Sequence, residues 1–187
     1  MASSPIYTRS GDDGTTGLFY GGRVSKDHSG PHAYGDVDET QAALGIARAS
    51  ASGSAGRLDI AEVLLELQRD LWVVMAELAT AKDNRPKLAD DVSRVSPAMV
   101  QRLEPLIDRF TAQFEPIRDF VVPGNTVLGA QLDVARTIAR RAERSAVTHV
   151  REMGIDSEVV RYLNRLSDLL WTLARAADGE SVRAKDV

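Results

Sequence analysis

The chain has 187 residues, 43% hydrophobic and 27% charged, enough for one domain with a substantial core. Its formal net charge of −4 argues against a dedicated nucleic-acid binder, so any anionic ligand must be met by a local basic cluster. It has no cysteine, which excludes disulfides and thiolate metal sites and suits a reducing cytoplasm; no apolar run is long enough to cross a membrane, and no signal-peptide pattern is read before Thr8.

Residues 1–36 carry no helical pattern and are rich in Gly, Ser, Thr and Asp, with Pro5 and Pro31 as breakers. A segment of this kind is expected to be either mobile or functional. Asp36 or Asp38 is expected to cap a first helix running to about Ser50, followed by a loop over 50–56. Apolar residues at three- and four-residue offsets, from Ile60 to Leu78, predict a helix over 58–81. Residues 83–95 read as a connector. Ser96-Pro97 supplies an N-cap and a first-turn proline for a third helix, in which Pro105 fits imperfectly and bends the axis. A loop over 115–125 leads to the longest helix, 126–153, with Gly154 as its C-cap, and a last helix spans 156–177. No strand pair is evident. The expected fold is all-α, a five-helix bundle with an extended Gly-rich N-terminal segment.

Two stretches invite a chemical reading. On a helical wheel, Arg136, Arg140, Glu143 and Arg144 fall on one face of the long helix. Leu128, Ala135, Ile138, Ala139, Ala142 and Ala146 form an adjoining, mostly small face that lets another helix approach closely. Arginine suits bidentate contact with phosphate or carboxylate, but solvated i,i+4 ion pairs explain the charged face equally well. The run Thr8 to Gly17 places glycines at 11, 14 and 17 among hydroxyls and carboxylates. Such a run can form a nest of backbone N–H groups for an anion, or simply be a mobile terminus. No GxxxxGK[ST] is present, so a P-loop is not available. His28, His32 and His149 lack the spacing of metal ligands. Trp72 and Trp171 read as core or interface anchors.

Five separated segments together resemble the PduO-type ATP:cob(I)alamin adenosyltransferases, a family of corrinoid adenosyltransferases. They are Tyr7 to Gly17, Ala33 to Glu39, Phe120 to Gly124, Ala135 to Arg144, and Tyr162 to Asp168, in the family's order over nearly the whole chain. The resemblance implies one adenosyltransferase domain over 1–187: an ATP-binding segment over 1–36, a bundle over 37–178 and a tail over 179–187. It implies a homotrimer with active sites between subunits, where the N-terminal segment closes over ATP, disordered when empty and ordered when ATP binds. The family reaction moves the 5′-deoxyadenosyl group of ATP to the cobalt of cob(I)alamin and releases triphosphate, with Mg²⁺ present. The nucleophile belongs to the corrinoid, so no catalytic triad is needed.

By matching positions, the resemblance places Thr8, Arg9, Ser10 and Gly11 around ATP and Thr16, Gly17 and Lys26 along its phosphates. Arg136 is implied to pair with Asp38 at the subunit interface and Arg140 to contact triphosphate. Glu143 is implied near ribose or Mg²⁺, Arg141 and Arg144 on the ATP side, and Asn164 hydrogen-bonded to the nucleotide. Phe120 corresponds to the aromatic beside the corrin, which keeps the lower base off Co(II) and yields a four-coordinate species. From the residues alone, Asp38 could only cap a helix, Phe120 could be core, Asn164 could only join helices, and Arg165 with Asp168 reads as a surface pair. Two departures stand out: Asn125 where the family often has glycine, expected to tolerate a left-handed turn, and Gln41 where it often has asparagine. An alternative implication is a carrier that binds ATP and adenosylcobalamin and delivers the cofactor to a dependent mutase. A mutase and a reductase are the protein partners implied; nucleic acid and membrane are not.

Overall fold

The structure is a computed structural model that describes residues 6–53, 57–180 and 182–186. A small antiparallel hairpin, β1 (Thr15–Gly17) and β2 (Arg23–Ser25), pairs Thr15 with Ser25, Thr16 with Val24 and Gly17 with Arg23. The helices are α1 (Ser29–Gly53), α2 (Leu58–Leu78), α3 (Pro97–Gln101), α4 (Leu103–Thr111), α5 (Val127–Met153) and α6 (Val159–Asp178). Helix α1 packs between α2 and α5, and α6 packs between α5 and α4. The expected five-helix bundle is present, with its third helix broken into α3 and α4. The break falls at Arg102 because Pro105 lacks an N–H and its ring crowds the carbonyl of residue 101.

Local signals set most boundaries. Ser96 Oγ accepts from Met99 N at 3.2 Å, with Pro97 in the first turn. Thr126 Oγ1 accepts from Gly129 N at 2.9 Å, and Gly154 closes α5 in left-handed geometry at φ 57°. Three expectations need correction. Helix α1 starts at Ser29, seven residues before Asp36, because Pro31 lies in the first turn, where its missing N–H leaves no bond unmade. Asp36 and Asp38 are therefore interior residues, not caps. The hairpin was not evident because each strand has only three residues, too few to show alternation. Helix α1 also runs to Gly53 through the expected loop, the rest of which (54–56) lies outside the described residues. Smaller shifts leave α2 ending at Leu78 and α6 starting at Val159.

The small face of α5 lies inside the chain. Ala135, Ala139, Ala142 and Ala146 are fully buried, as are Ala33, Ala47 and Ala51 of α1. Side chains this small let the α1 and α5 backbones come close. Leu44, Leu64, Leu67, Leu71, Leu132, Leu163 and Leu166 fill the rest of the core, each contributing about 1.5–3 kcal/mol on burial. Tyr162 donates to Asp70 Oδ2 at 2.8 Å, and Arg102 pairs with the other oxygen, tying α6 and the α3–α4 break to α2. Burial first, and the Asp70 charge second, push the Tyr162 hydroxyl well above its ordinary range, so it stays a neutral donor. Glu77, also buried, accepts from Arg85, Ser157 Oγ and Val95 N and so organises the 79–96 connector.

Candidate functional site

The expected site residues form three groups along α5. The first is the arginine face. Arg136, Arg140, Glu143 and Arg144 project from α5, and Asn164 of α6 donates to Glu143 Oε1 at 3.1 Å. Asn164 thus joins two helices and positions the Glu143 carboxylate at once. Arg144 Nη1 donates to the Arg140 carbonyl at 3.0 Å, which lays its side chain back along the helix. The Arg140 guanidinium has no hydrogen-bond or ion-pair partner among the described residues. Arg141 turns the other way, to Glu39 and to Asp36 Oδ1 at 3.4 Å on α1. The hydrogen bond to Glu39, more than the carboxylate charges, raises its already high pKa. Arg136 Nε donates to Asp133 Oδ1 at 3.0 Å.

The second group is the N-terminal hairpin at the opposite end of α1 from Gly53. Lys26 Nζ donates to the Gly11 carbonyl at 2.7 Å, and the Thr8 and Ser10 hydroxyls lie 2.7 Å apart. Arg23 donates to the Ser10 carbonyl and to Thr15 Oγ1. Asp13 Oδ1 accepts from Thr15 N at 2.9 Å and Thr15 Oγ1 at 2.8 Å, which holds its carboxyl below the usual range. Gly14 has φ 80°, and Arg9, at φ 59°, also holds left-handed backbone, where a non-glycine is uncommon. The hairpin hydrogen-bonds to the bundle through its turn. Phe19 N donates to Ala79 O at 2.9 Å, and Asn84 Nδ2 donates to Tyr20 O at 3.3 Å. Thr8, Arg9, Ser10, Gly11, Thr16, Gly17 and Lys26 stay together at the surface. Among the described residues, no hydrogen bond or ion pair joins them to the arginine face.

The third group is the loop before α5. Phe120 is 89% exposed, so it is not core. The C-terminal tail runs alongside this loop: Ala184 N donates to Phe120 O at 2.8 Å and Val122 N to Val182 O at 2.9 Å. Lys185 pairs with Asp119 at 2.6 Å. The left-handed residue here is Gly124, at φ 112°. Asn125 does not take the left-handed backbone expected of it and instead gives its amide to the Glu180 carbonyl.

Asp38 lies apart from all three, in a groove between α1 and α2 lined by Gln41, Leu65, Gln68, Arg69 and Trp72. Within one chain it does not meet Arg136. Gln41 is used there too: its amide donates to Gln68 O at 2.9 Å, and Gln68 returns a bond to Gln41 O at 3.1 Å. Trp72 is 64% exposed and so is no core residue, whereas Trp171 is half-buried against Phe114. Arg165 and Asp168 make the expected surface pair, at 3.8 Å. Among the described residues no three His, Asp or Glu side chains cluster to hold a metal ion, and no helix is long and apolar enough to cross a membrane.

The sequence profile of cobalamin adenosyltransferases matches residues 6–177. The chain belongs to the cobalamin adenosyltransferase family. It is 42% identical over 170 residues to a corrinoid adenosyltransferase of Citrobacter freundii, spanning 91% of this chain and 93% of that protein. It is 42% identical over 181 residues to the corrinoid adenosyltransferase PduO of Salmonella typhimurium, where 96% of this chain spans 51% of the longer relative. In three dimensions it is similar to a PduO-type ATP:corrinoid adenosyltransferase from Lactobacillus reuteri, an alanine-for-phenylalanine variant complexed with cobalamin and ATP. The TM-score is 0.87 and the identity 31%, over 96% of this chain and 99% of that one.

Against this family background, four residues escaped the sequence reading. Asp133, Arg175 and Asp178 are buried and joined to Arg136, and Arg23 braces the hairpin. Arg175 left one signal: it sits inside the apolar run from Leu173 to Ala177, where a charge has to find a buried partner.

Proposed function

We infer that this protein is an ATP:corrinoid adenosyltransferase. Reduced Co(I) of the corrinoid attacks the ribose C5′ of ATP, the C5′–O bond breaks, and triphosphate leaves with the bonding pair. The cobalt is formally oxidised from +1 to +3 as the Co–C bond forms. The observation that carries the reading is the α5 face, where Arg140 offers an unpaired guanidinium beside the Glu143–Asn164 pair on a rigid helix. The leaving group gains negative charge as the bond breaks, so fixed cations at that point favour the transition state over the bound substrate.

The chain's residues divide the work. Arg140 takes the triphosphate, with Lys26 and the backbone of Thr8 to Gly17 closing from the other side. Arg136 orders the site with Asp38, and Arg144 and Arg141 add positive potential. Phe120 covers the corrin face and excludes a lower ligand from cobalt. Glu143 is the carboxylate that would hold Mg²⁺, an ion that is usually bound through one or two carboxylates. When bound it neutralises charge on the leaving group.

The complete site lies between copies of the chain, in a homotrimer. What supports this is distance. The hairpin sits by the C-terminal end of α5 and Phe120 by its N-terminal end, and 27 residues of helix span about 40 Å. A second copy closes that gap. Asp38 and the exposed Trp72 share a groove suited to an apolar anchor and an ion pair from a neighbour. Anaerobic incubation with ATP, Mg²⁺ and chemically reduced cobalamin tests the activity. The corrin spectrum should turn to that of adenosylcobalamin, with one triphosphate per product. Folded protein that yields none refutes the reading.

A further inference from the structure

A line of buried charge runs from the arginine face to the Phe120 loop. Arg136 Nε donates to Asp133 Oδ1 at 3.0 Å. The other Asp133 oxygen accepts from Arg175. Arg175 Nη2 also donates to Asp178 Oδ2 at 3.1 Å. The second Asp178 oxygen takes two bonds from Thr126, from N at 3.0 Å and Oγ1 at 2.9 Å. Thr126 is the last residue before α5 and stands six positions after Phe120. The side chains of Arg175 and Asp178 are 1% and 0% exposed, and that of Asp133 is 6%. Two arginines and two aspartates make the line neutral, which removes the largest cost of burying it.

Stability alone is a poor reason to keep such a line. Buried ion pairs replaced by packed apolar side chains often leave a protein equally or more stable. This line is not even saturated, since Arg175 Nε is buried without a partner among the described residues. What charge provides here is direction. Asp133 grips Arg136 by Nε, and among the described residues Nη1 and Nη2 keep no partner, which leaves an end-on bidentate edge for a carboxylate. At the other end, Asp178 pins the hinge of the loop that carries Phe120. Both ends meet in one guanidinium, Arg175.

We propose that Asp133, Arg175 and Asp178 are positioning residues that couple the ATP side of the site to the corrin side, by fixing Arg136 and the Phe120 loop to a single rigid frame. The inference rests on the adenosyltransferase reading. None of the three touches a reacting atom. Each acts through another residue, so disturbing one end should be felt at the other.

The test reads each end from the far side, in the full-length protein. Wild type is first shown to make adenosylcobalamin; if it does not, the transferase reading fails at that step, before any variant is compared. Asp178→Asn, at the corrin end, should then raise KM for ATP about tenfold. Asp133→Asn, at the ATP end, should remove most of the four-coordinate Co(II) signal seen by electron paramagnetic resonance with MgATP and cob(II)alamin bound. Arg175→Lys keeps a buried cation but ends short of the Nη2 position that meets both carboxylates, so it should move both readouts even if an asparagine variant fails to fold. A merely structural line would lower Tm and leave KM and the cobalt signal of the folded fraction where they were. Active wild type with folded variants within twofold of it in both crossed readouts overturns the proposal.

Discussion

Gly129 and Asp178 share one corner of the bundle, and only glycine fits there: a β-carbon on Gly129 would overlap the Asp178 carboxylate. The space left by the missing side chain lets Asp178 reach back to cap α5 through Thr126. Gly129→Ala must therefore expel a buried carboxylate from its partners, Arg175 included. Breaking a buried pair costs about 3–5 kcal/mol, and that is the loss expected in denaturant unfolding. Gly35, in the interior of α1 with nothing within 4 Å of its would-be β-carbon, is the control. Gly35→Ala should stabilise by about 0.5–1 kcal/mol through helix propensity. Equal effects from the two substitutions would refute the steric account.

Arg140 and Arg141 are neighbours in sequence with different surroundings. The Arg140 guanidinium has no partner among the described residues, while Arg141 holds Glu39 and Asp36 of α1. Arg140→Ala should lower kcat about 10²- to 10³-fold, the range for removing one donor to a developing charge, with Tm and oligomeric state unchanged. Arg141→Ala should show the reverse, a small drop in Tm with most of the turnover kept. Steady-state kinetics beside thermal melts check both. Full activity in Arg140→Ala would remove it from the triphosphate site.

How much of this was legible in the sequence depended on how local the cause was. The arginine face, the Ser96 cap and the Gly154 stop are set by residues within a turn or two of one another, and periodicity and local residue type reveal them. Pro105 signalled a disturbance in the third helix, as a bend where the structure has a break. The hairpin was not legible, because its hydrogen bonds depend on pairing two three-residue strands, and its glycines read equally well as a tail. The Asp133–Arg175 pair joins residues 42 apart, which no short-range pattern reports. Exposure was the other hidden variable. Phe120 and Trp72 look like core residues in a sequence, yet both face solvent here, in keeping with contacts made outside a single chain. Gln41, a departure from the family's usual residue, gained its meaning only from Gln68 across the helix pair.

Among the described residues the hairpin's hydrogen bonds to the bundle come from its turn, Phe19 to Gly21, so residues 7–17 and Lys26 depend mostly on their own short contacts. Segments with few buried contacts open at low free-energy cost. Arg9, Arg23 and Lys26 are exposed there and are sites for trypsin. MgATP should slow cleavage at these three positions by tenfold or more and leave cleavage elsewhere unchanged. Mass spectrometry of timed digests reads this directly. Identical rates with and without nucleotide would separate the hairpin from ATP binding.

Beneath the hairpin lies a mostly apolar cavity of about 220 Å³, lined by Leu18, Val24, Gly30, Leu78, Met153 and His149 among others. His149 is buried, with Nδ1 at 2.9 Å from Ser29 Oγ and Nε2 without a partner among the described residues. Burial, and then the nearby charge of His28, push its pKa below the ordinary 6.5; the Leu78 backbone and then Glu152 oppose this, and Arg85 reinforces it. The sign follows from proton counting. Below pH 6.5 the unfolded chain binds a proton at this site that the folded chain resists, so falling pH favours unfolding. Stability from this site is complete above that pH and is lost as pH drops through and beneath it. The useful quantity is therefore a difference between two proteins that differ at this one group. His149→Gln keeps a polar group for Ser29 but cannot take the proton. Its Tm should fall less than that of wild type between pH 7.5 and pH 5.5. Parallel Tm curves for the two proteins would show that the buried imidazole does not drive the acid sensitivity of the hairpin's seat.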